Sequence, residues 1–203
     1  MGVIIIKVIL LRHFKTYGNL HSRYIGVTDE SLCSEGILLA KKKDYSDIQN
    51  IDVVFSSPMK RCIETGNLLY KEKELNIVDE LRECNFGDFE NKNYIELSEN
   101  PQYQKWIDSN GKLPFPNGEA HDDFKNRCIL AFKKIIDEAI LRQYKSIALV
   151  VHGGTIMSIL NKLATEKKDF YEWQIKNGEA FICYIDREKW IKGNKQIEVK
   201  NLI

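Results

Sequence analysis

The chain has 203 residues, with 30 lysines and arginines against 29 aspartates and glutamates, a formal net charge of +1. So even a balance gives no chain-wide field to gather nucleic acid or an anionic membrane. Neither is expected as a partner, and any anion specificity must come from a local basic cluster. With 43% hydrophobic and 29% charged residues, the composition is that of a globular chain, and the length leads us to expect one domain, residues 1–203.

Five cysteines, Cys33, Cys62, Cys84, Cys128 and Cys183, show no C-x-x-C spacing. They point to a reducing compartment, speak against a zinc site, and read as small core hydrophobes. The apolar start is interrupted by Lys7, has no small-residue cleavage site after it, and runs into Arg12-His13. Ile6 holds the position where a myristoylation signal needs a hydroxyl. No run reaches the roughly 18 apolar residues of a membrane span. The expected setting is the cytoplasm.

In chain order, residues 3–11 form a nearly continuous, β-branched-rich run, the pattern of a strand buried on both faces. Ser34 is placed to cap a helix from 35 to about 48. Residues 52–55 read as a second strand. Ser57 followed by Pro58 then predicts a capped helix running to about 70. Residues 91–117 carry Asn-Pro, Asn-Gly and Leu-Pro-Phe-Pro punctuation among Tyr94, Tyr103, Trp106 and Phe115, and read as an inserted, partly helical lid or subdomain. Residues 122–142 form a long amphipathic helix, with Phe124, Cys128, Phe132, Ile135 and Ala139 at helical spacing. A third strand spans 146–151, a helix starts near Gly154 or Thr155, and 180–186 and 196–201 read as two more strands. The alternation predicts an α/β sandwich with a mostly parallel sheet.

In such sheets, ligands bind beyond the carboxyl ends of the strands. Arg12 and His13 follow the first predicted strand, Arg61 opens the helix after the second, and His152 follows the third. Two histidines and two arginines thus converge on one sheet edge. Arginine holds phosphate oxygens bidentately, a helix start at Gly154–Thr155 adds backbone N–H donors, and a neutral imidazole is an available nucleophile. The leaving oxygen needs an acid, and five acidic residues from Asp79 to Glu90 compete for that role.

Arg12-His13 with Thr16 and Asn19 resembles the R-H-G-x-T-x-x-N signature of the histidine phosphatase (phosphoglycerate mutase-like) superfamily. The run Tyr24 to Leu32 is similar to the segment that follows. Ser56-Ser57 with Arg61 and Thr65 resembles the S-S-x-x-x-R-x-x-x-T helix start, Leu81-Arg82-Glu83 with Phe86 to Glu90 the acid loop, and His152-Gly153-Gly154-Thr155 the second-histidine motif. The resemblance implies a three-layer α/β/α fold that needs no metal or other cofactor. It implies His13 as nucleophile, Arg12, Arg61 and His152 as catalytic phosphoryl binders, and Glu83 as acid and base. Asn19, Gly26 and Gly153 would complete substrate binding. The partner implied is a small phosphorylated metabolite, with a homodimer as an open option. The acid loop is most similar to the α-ribazole phosphatase branch, which acts in cobalamin assembly. Phosphoglycerate mutase and a non-catalytic phosphate-binding regulator are the rival readings.

The sequence departs from the family pattern at Phe14 and Asn91, where the family has glycine, and at Ala120, where it often has serine. Phe14 must either point into the core or narrow the pocket. His21 and His121 read as solvated loop residues, and Lys41-Lys42-Lys43 as an exposed helix face. The aromatics of 91–117 read as the core of the insertion. No G-x-S-x-G, G-x-x-x-x-G-K-[ST] or G-x-G-x-x-G occurs, which removes the main support for hydrolase-elbow and nucleotide-fold alternatives.

Overall fold

The computed structural model describes residues 4–203; Met1 and Gly2 of the apolar start, and Val3 of the first predicted strand, lie outside them. At the centre of the sheet is β1 (Ile5–Arg12), whose side chains are buried on both faces. Val8 and Leu10 enter one core cluster, and Ile9 and Leu11 the other. Such two-sided burial explains the unbroken apolar run and requires helices on both sides. After β1 come α1 (Tyr17–Leu20), α2 (Ser34–Lys42), α3 (Ser46–Gln49), β2 (Val53–Ser56), α4 (Lys60–Leu69) and β3 (Leu75–Ile77). Then follow α5 (Pro101–Asp108), α6 (His121–Leu141), β4 (Ser146–Val151), α7 (Gly153–Leu163), β5 (Ala180–Asp186), α8 (Arg187–Ile191) and β6 (Glu198–Leu202).

The strand order is β3-β2-β4-β1-β5-β6. The first four run parallel, β5 is antiparallel to β1, and β6 is antiparallel to β5. The sheet is mostly parallel, in an α/β sandwich. On one face α6 and α7 contribute Phe132, Ile136, Ile156 and Leu160. On the other, Ile48 of α3 and Cys62 of α4 pack with Tyr45 and Phe14.

Several elements differ from expectation for identifiable reasons. The helix expected to continue to residue 48 ends at Lys42, and Cys33, not Ser34, caps it, its Sγ accepting the Gly36 N–H at 3.4 Å. Lys43 turns extended (ψ 137°) so that Tyr45 can enter the core and donate to the Gly178 carbonyl at 2.7 Å. Ser57 does not cap α4: its N–H extends the ladder to the Val150 carbonyl, and its hydroxyl is taken up elsewhere, as described below. Met59 is the N-cap instead. Strand β3, three residues with only Leu75 partly buried, carries no sequence signal. All five cysteines are free thiols, with Cys33 alone less than buried.

Within 91–117, Asn100 caps α5 by accepting from the N–H groups of Gln102 and Tyr103 at 2.9 and 3.2 Å, with Pro101 at the first helical position. Leu97, Tyr103 and Phe115 join Cys84, Phe89, Phe124 and Cys128 in a third core cluster. It fastens this segment to the acid loop and α6. Among the described residues no helix is long and apolar enough to cross a membrane.

Candidate active site

The carboxyl edge of the sheet places the two histidines side by side. Beyond β1, the His13 N–H still donates to the Val151 carbonyl at 2.9 Å. Register pairs Arg12 with Val151, so His152 follows directly opposite. The two rings lie 5.2 Å apart between centroids, at 65°. His13 Nδ1 is 2.6 Å from the Phe14 carbonyl, which can only accept, so the proton sits on Nδ1 and the lone pair on Nε2. Burial, with the nearby Arg61 and Arg12 guanidiniums, holds the His13 imidazole well below its ordinary pKa, so it is neutral at cellular pH.

His152 is fixed from behind. Arg61 Nε donates to its Nδ1 at 3.3 Å, which leaves the proton on Nε2, 2.8 Å from Ser57 Oγ. Burial and Arg61 keep it neutral as well. The fully buried Arg61 also donates to the carbonyls of Thr28 at 2.8 Å and Gly26 at 2.9 Å, holding the loop after α1 against the sheet edge. Arg12 donates from Nη1 to the Ile175 carbonyl at 2.6 Å, while its buried Nε has no partner among the described residues.

Phe14 resolves into the core. Its ring is fully buried and meets Tyr45 edge to face at 5.8 Å, and its N–H donates to Thr65 Oγ1 at 3.0 Å. Thr65 Oγ1 in turn donates to the Arg61 carbonyl at 2.7 Å, tying the end of β1 to α4. Room for the ring comes from Gly178 (φ 77°), where a Cβ would sit 2.7 Å from Phe14 Cδ1. Asn91, the other departure from glycine, adopts φ 56°, a left-handed conformation that asparagine tolerates better than most residues.

A cavity of about 480 Å³ opens onto this edge, walled by Arg12, His13, Asn19, Glu83, Gly153 and Gly154 among others. Glu83 accepts the N–H of Cys84 at 3.0 Å and of Gly154 at 3.2 Å. Burial nevertheless outweighs these bonds and the two arginines, and raises its pKa above the ordinary glutamate value. Its rivals in the acid loop are occupied otherwise. Glu90 accepts from the N–H groups of Gly26 and Thr28 at 2.7 and 2.8 Å, and Asp88 is exposed and bonded to Asn117. The start of α7 carries no side-chain cap and points its positive end at the cavity edge. Asn19 lines the wall, its Oδ1 accepting from Asn177 Nδ2 at 3.1 Å.

Five expected site residues, Arg12, His13, Asn19, Glu83 and Gly153, are thus brought together on the cavity lining, while Arg61 and His152 lie immediately behind it. Gly26 is not on the wall: its carbonyl anchors Arg61, and a Cβ there would fall 1.8 Å from the Cys84 carbonyl oxygen. His121 is not a solvated loop residue. It opens α6, lines the cavity and meets Phe170 edge to face at 5.1 Å. Arg127 had no sequence signal, since it sits on the polar face of an amphipathic helix. It forms a bidentate pair with Glu119 at 2.8 Å and donates to the carbonyls of Glu80, Arg82 and Glu83 at 2.7, 2.8 and 3.2 Å. The backbone that carries Glu83 is therefore clamped by one guanidinium.

A model of the histidine phosphatase superfamily (branch 1) matches residues 8–194. A broad-specificity phosphatase of Saccharomyces cerevisiae is 30% identical over 207 residues, covering 98% of this chain and 85% of the yeast protein. The α-ribazole phosphatase structure from Shigella flexneri superposes with TM-score 0.78 at 22% identity, over 97% of this chain and 96% of that one. The Entamoeba histolytica phosphoserine phosphatase in complex with 3-phosphoglyceric acid gives TM-score 0.78 at 22% identity, over 97% and 95%.

Proposed function

Since the chain belongs to the histidine phosphatase superfamily (branch 1), whose members are metal-independent phosphatases and mutases, we propose that it hydrolyses a small phosphomonoester by double displacement through His13. The observation that carries this reading is the Nδ1–H bond of His13 to the Phe14 carbonyl. It leaves a neutral Nε2 lone pair at a cavity also lined by the Arg12 guanidinium and by the Glu83 carboxyl of raised pKa.

In the first step the Nε2 lone pair attacks phosphorus while the bond to the alcohol oxygen breaks. Protonated Glu83 gives its proton to that oxygen, and a phosphohistidine and a free alcohol result. In the second, ionised Glu83 takes a proton from water as its oxygen attacks phosphorus. The P–Nε2 bond then breaks, releasing inorganic phosphate and restoring neutral His13 and protonated Glu83. Arg12, Arg61 and the start of α7 balance the phosphoryl charge throughout, the dominant requirement in phosphoryl transfer.

The finer reading, α-ribazole 5′-phosphate as substrate, draws on the wording of the acid loop and on the similarity to the Shigella flexneri enzyme. Turnover of 4-nitrophenyl phosphate in excess chelator tests the proposal. We expect steady release of inorganic phosphate by the wild type and a loss of about 10⁴-fold or more in His13→Ala. Phosphate passed to a sugar acid rather than to water, or undiminished turnover in His13→Ala, would refute it. A panel adding α-ribazole phosphate, phosphoglycerates and sugar phosphates ranks substrates by kcat/KM.

A further inference from the structure

Away from the phosphoryl position the cavity wall changes character. Its basic side chains are Arg12, His13, Arg23 and His121, with no lysine among them. Arg12 and His13 serve the phosphoryl group, and burial beside Lys125 lowers the pKa of His121 and disfavours its charged form. Among the described residues that line the cavity, Arg23 is the remaining cation for the alcohol side, and it is already taken. Its Nη1 and Nη2 meet Glu96 Oε2 and Oε1 at 2.9 and 3.0 Å, and Nη1 also donates to the Asn91 carbonyl. Glu96 is held in place in turn. Its Oε2 accepts the Asn93 N–H at 2.9 Å, and a backbone bridge between Arg23 and Asn93 aligns the two segments.

The same cavity is lined by the aromatic side chains of Tyr24, Phe86, Trp106, Phe115 and Phe124. The Trp106 ring contributes apolar surface to this wall, its buried Nε1 having no hydrogen-bond partner among the described residues. A ring fits such a surface by stacking or edge contact. A carboxylate would be desolvated there with no free cation to meet it.

We infer that the site selects phosphomonoesters of uncharged, planar alcohols and disfavours those carrying a carboxylate, because Glu96 keeps Arg23 off the substrate. This rests on the phosphatase reading above and names the substrate class of that same site. Glu96 is then a specificity-determining residue that never touches the reacting atoms. Calorimetric binding of benzylphosphonate and 3-phosphonopropionate at low ionic strength tests it, with turnover of benzyl phosphate and phosphoserine measured in parallel. We expect the wild type to bind benzylphosphonate about tenfold more tightly or better. Glu96→Gln, an exposed change that keeps an acceptor for Asn93, is expected to narrow the ratio about fivefold by tightening the carboxylate ligand alone. Tighter wild-type binding of 3-phosphonopropionate, or a ratio unmoved in Glu96→Gln, overturns the inference. The expected binding ratios with neither ester hydrolysed would uphold the selectivity and refute the phosphatase reading alone.

Discussion

The two sides of the cavity are built by different means. The phosphoryl side hangs on strand ends: His13 continues the β1 ladder, His152 follows β4, and Arg61 is buried between them with its donors committed to backbone and ring acceptors. The acid and alcohol side is made of loops. Its geometry depends on side chains reaching backbone from a distance, with Arg127 holding the Glu83 segment and Glu90 holding residues 26 and 28. A fixed sheet edge suits chemistry that is the same for every phosphomonoester. Loops on borrowed supports suit the part that must change with the alcohol. Damage to the first side should therefore lower all rates alike, and damage to the second should depend on the leaving group.

The largest effect is expected at the joint between them. Arg61→Met removes a charge from the phosphoryl site and frees the loop carbonyls of Thr28 and Gly26, so kcat should fall about 10³-fold for every ester tested. Glu83→Gln should cost about 10²-fold or more with alkyl phosphates but little with 4-nitrophenyl phosphate, whose leaving group needs no proton. The same raised pKa predicts an alkaline limb in kcat/KM, as Glu83 ionises, that Glu83→Gln lacks for alkyl esters. Arg127→Met should cost about tenfold with alkyl esters and displace that limb, because the carboxyl keeps its chemistry and loses its placement. A pH profile identical to wild type would show Arg127 to be merely structural.

The strand-built side was legible in the sequence because its residues follow unbroken apolar runs directly. Strands β4 and β5 have the limits their hydrophobic patterns suggest. The loop-built side was not, because a guanidinium bonded to three carbonyls leaves no pattern: any residue type supplies a carbonyl. Likewise Ser57 reads as a helix cap until His152 arrives from 95 residues away to claim its hydroxyl. Phe14 contradicts the family glycine locally, and only the fold shows that Gly178 returns the space. Local rules fail at the site because tertiary partners outbid them there.

The smallest expected effect is on stability. His13 and His152 have folded pKa values below the unfolded value of about 6.5, so the unfolded chain binds more protons below that pH. Their contribution is present above pH 6.5 and lost as pH falls through it. The difference in Tm between His152→Asn and wild type should therefore shift toward the variant between pH 7.5 and 5.5. A difference independent of pH would mean that the fold does not lower the His152 pKa.

The central claim is that phosphate passes through His13 Nε2. Rapid acid-free quenching of wild-type enzyme with excess labelled phosphomonoester, followed by peptide mapping, tests it directly. The account predicts up to one label per chain, stable to alkali and labile to acid, on the peptide containing His13, and none in His13→Ala. Turnover without any trapped label under conditions that trap a known phosphohistidine, or label on another residue, would contradict it.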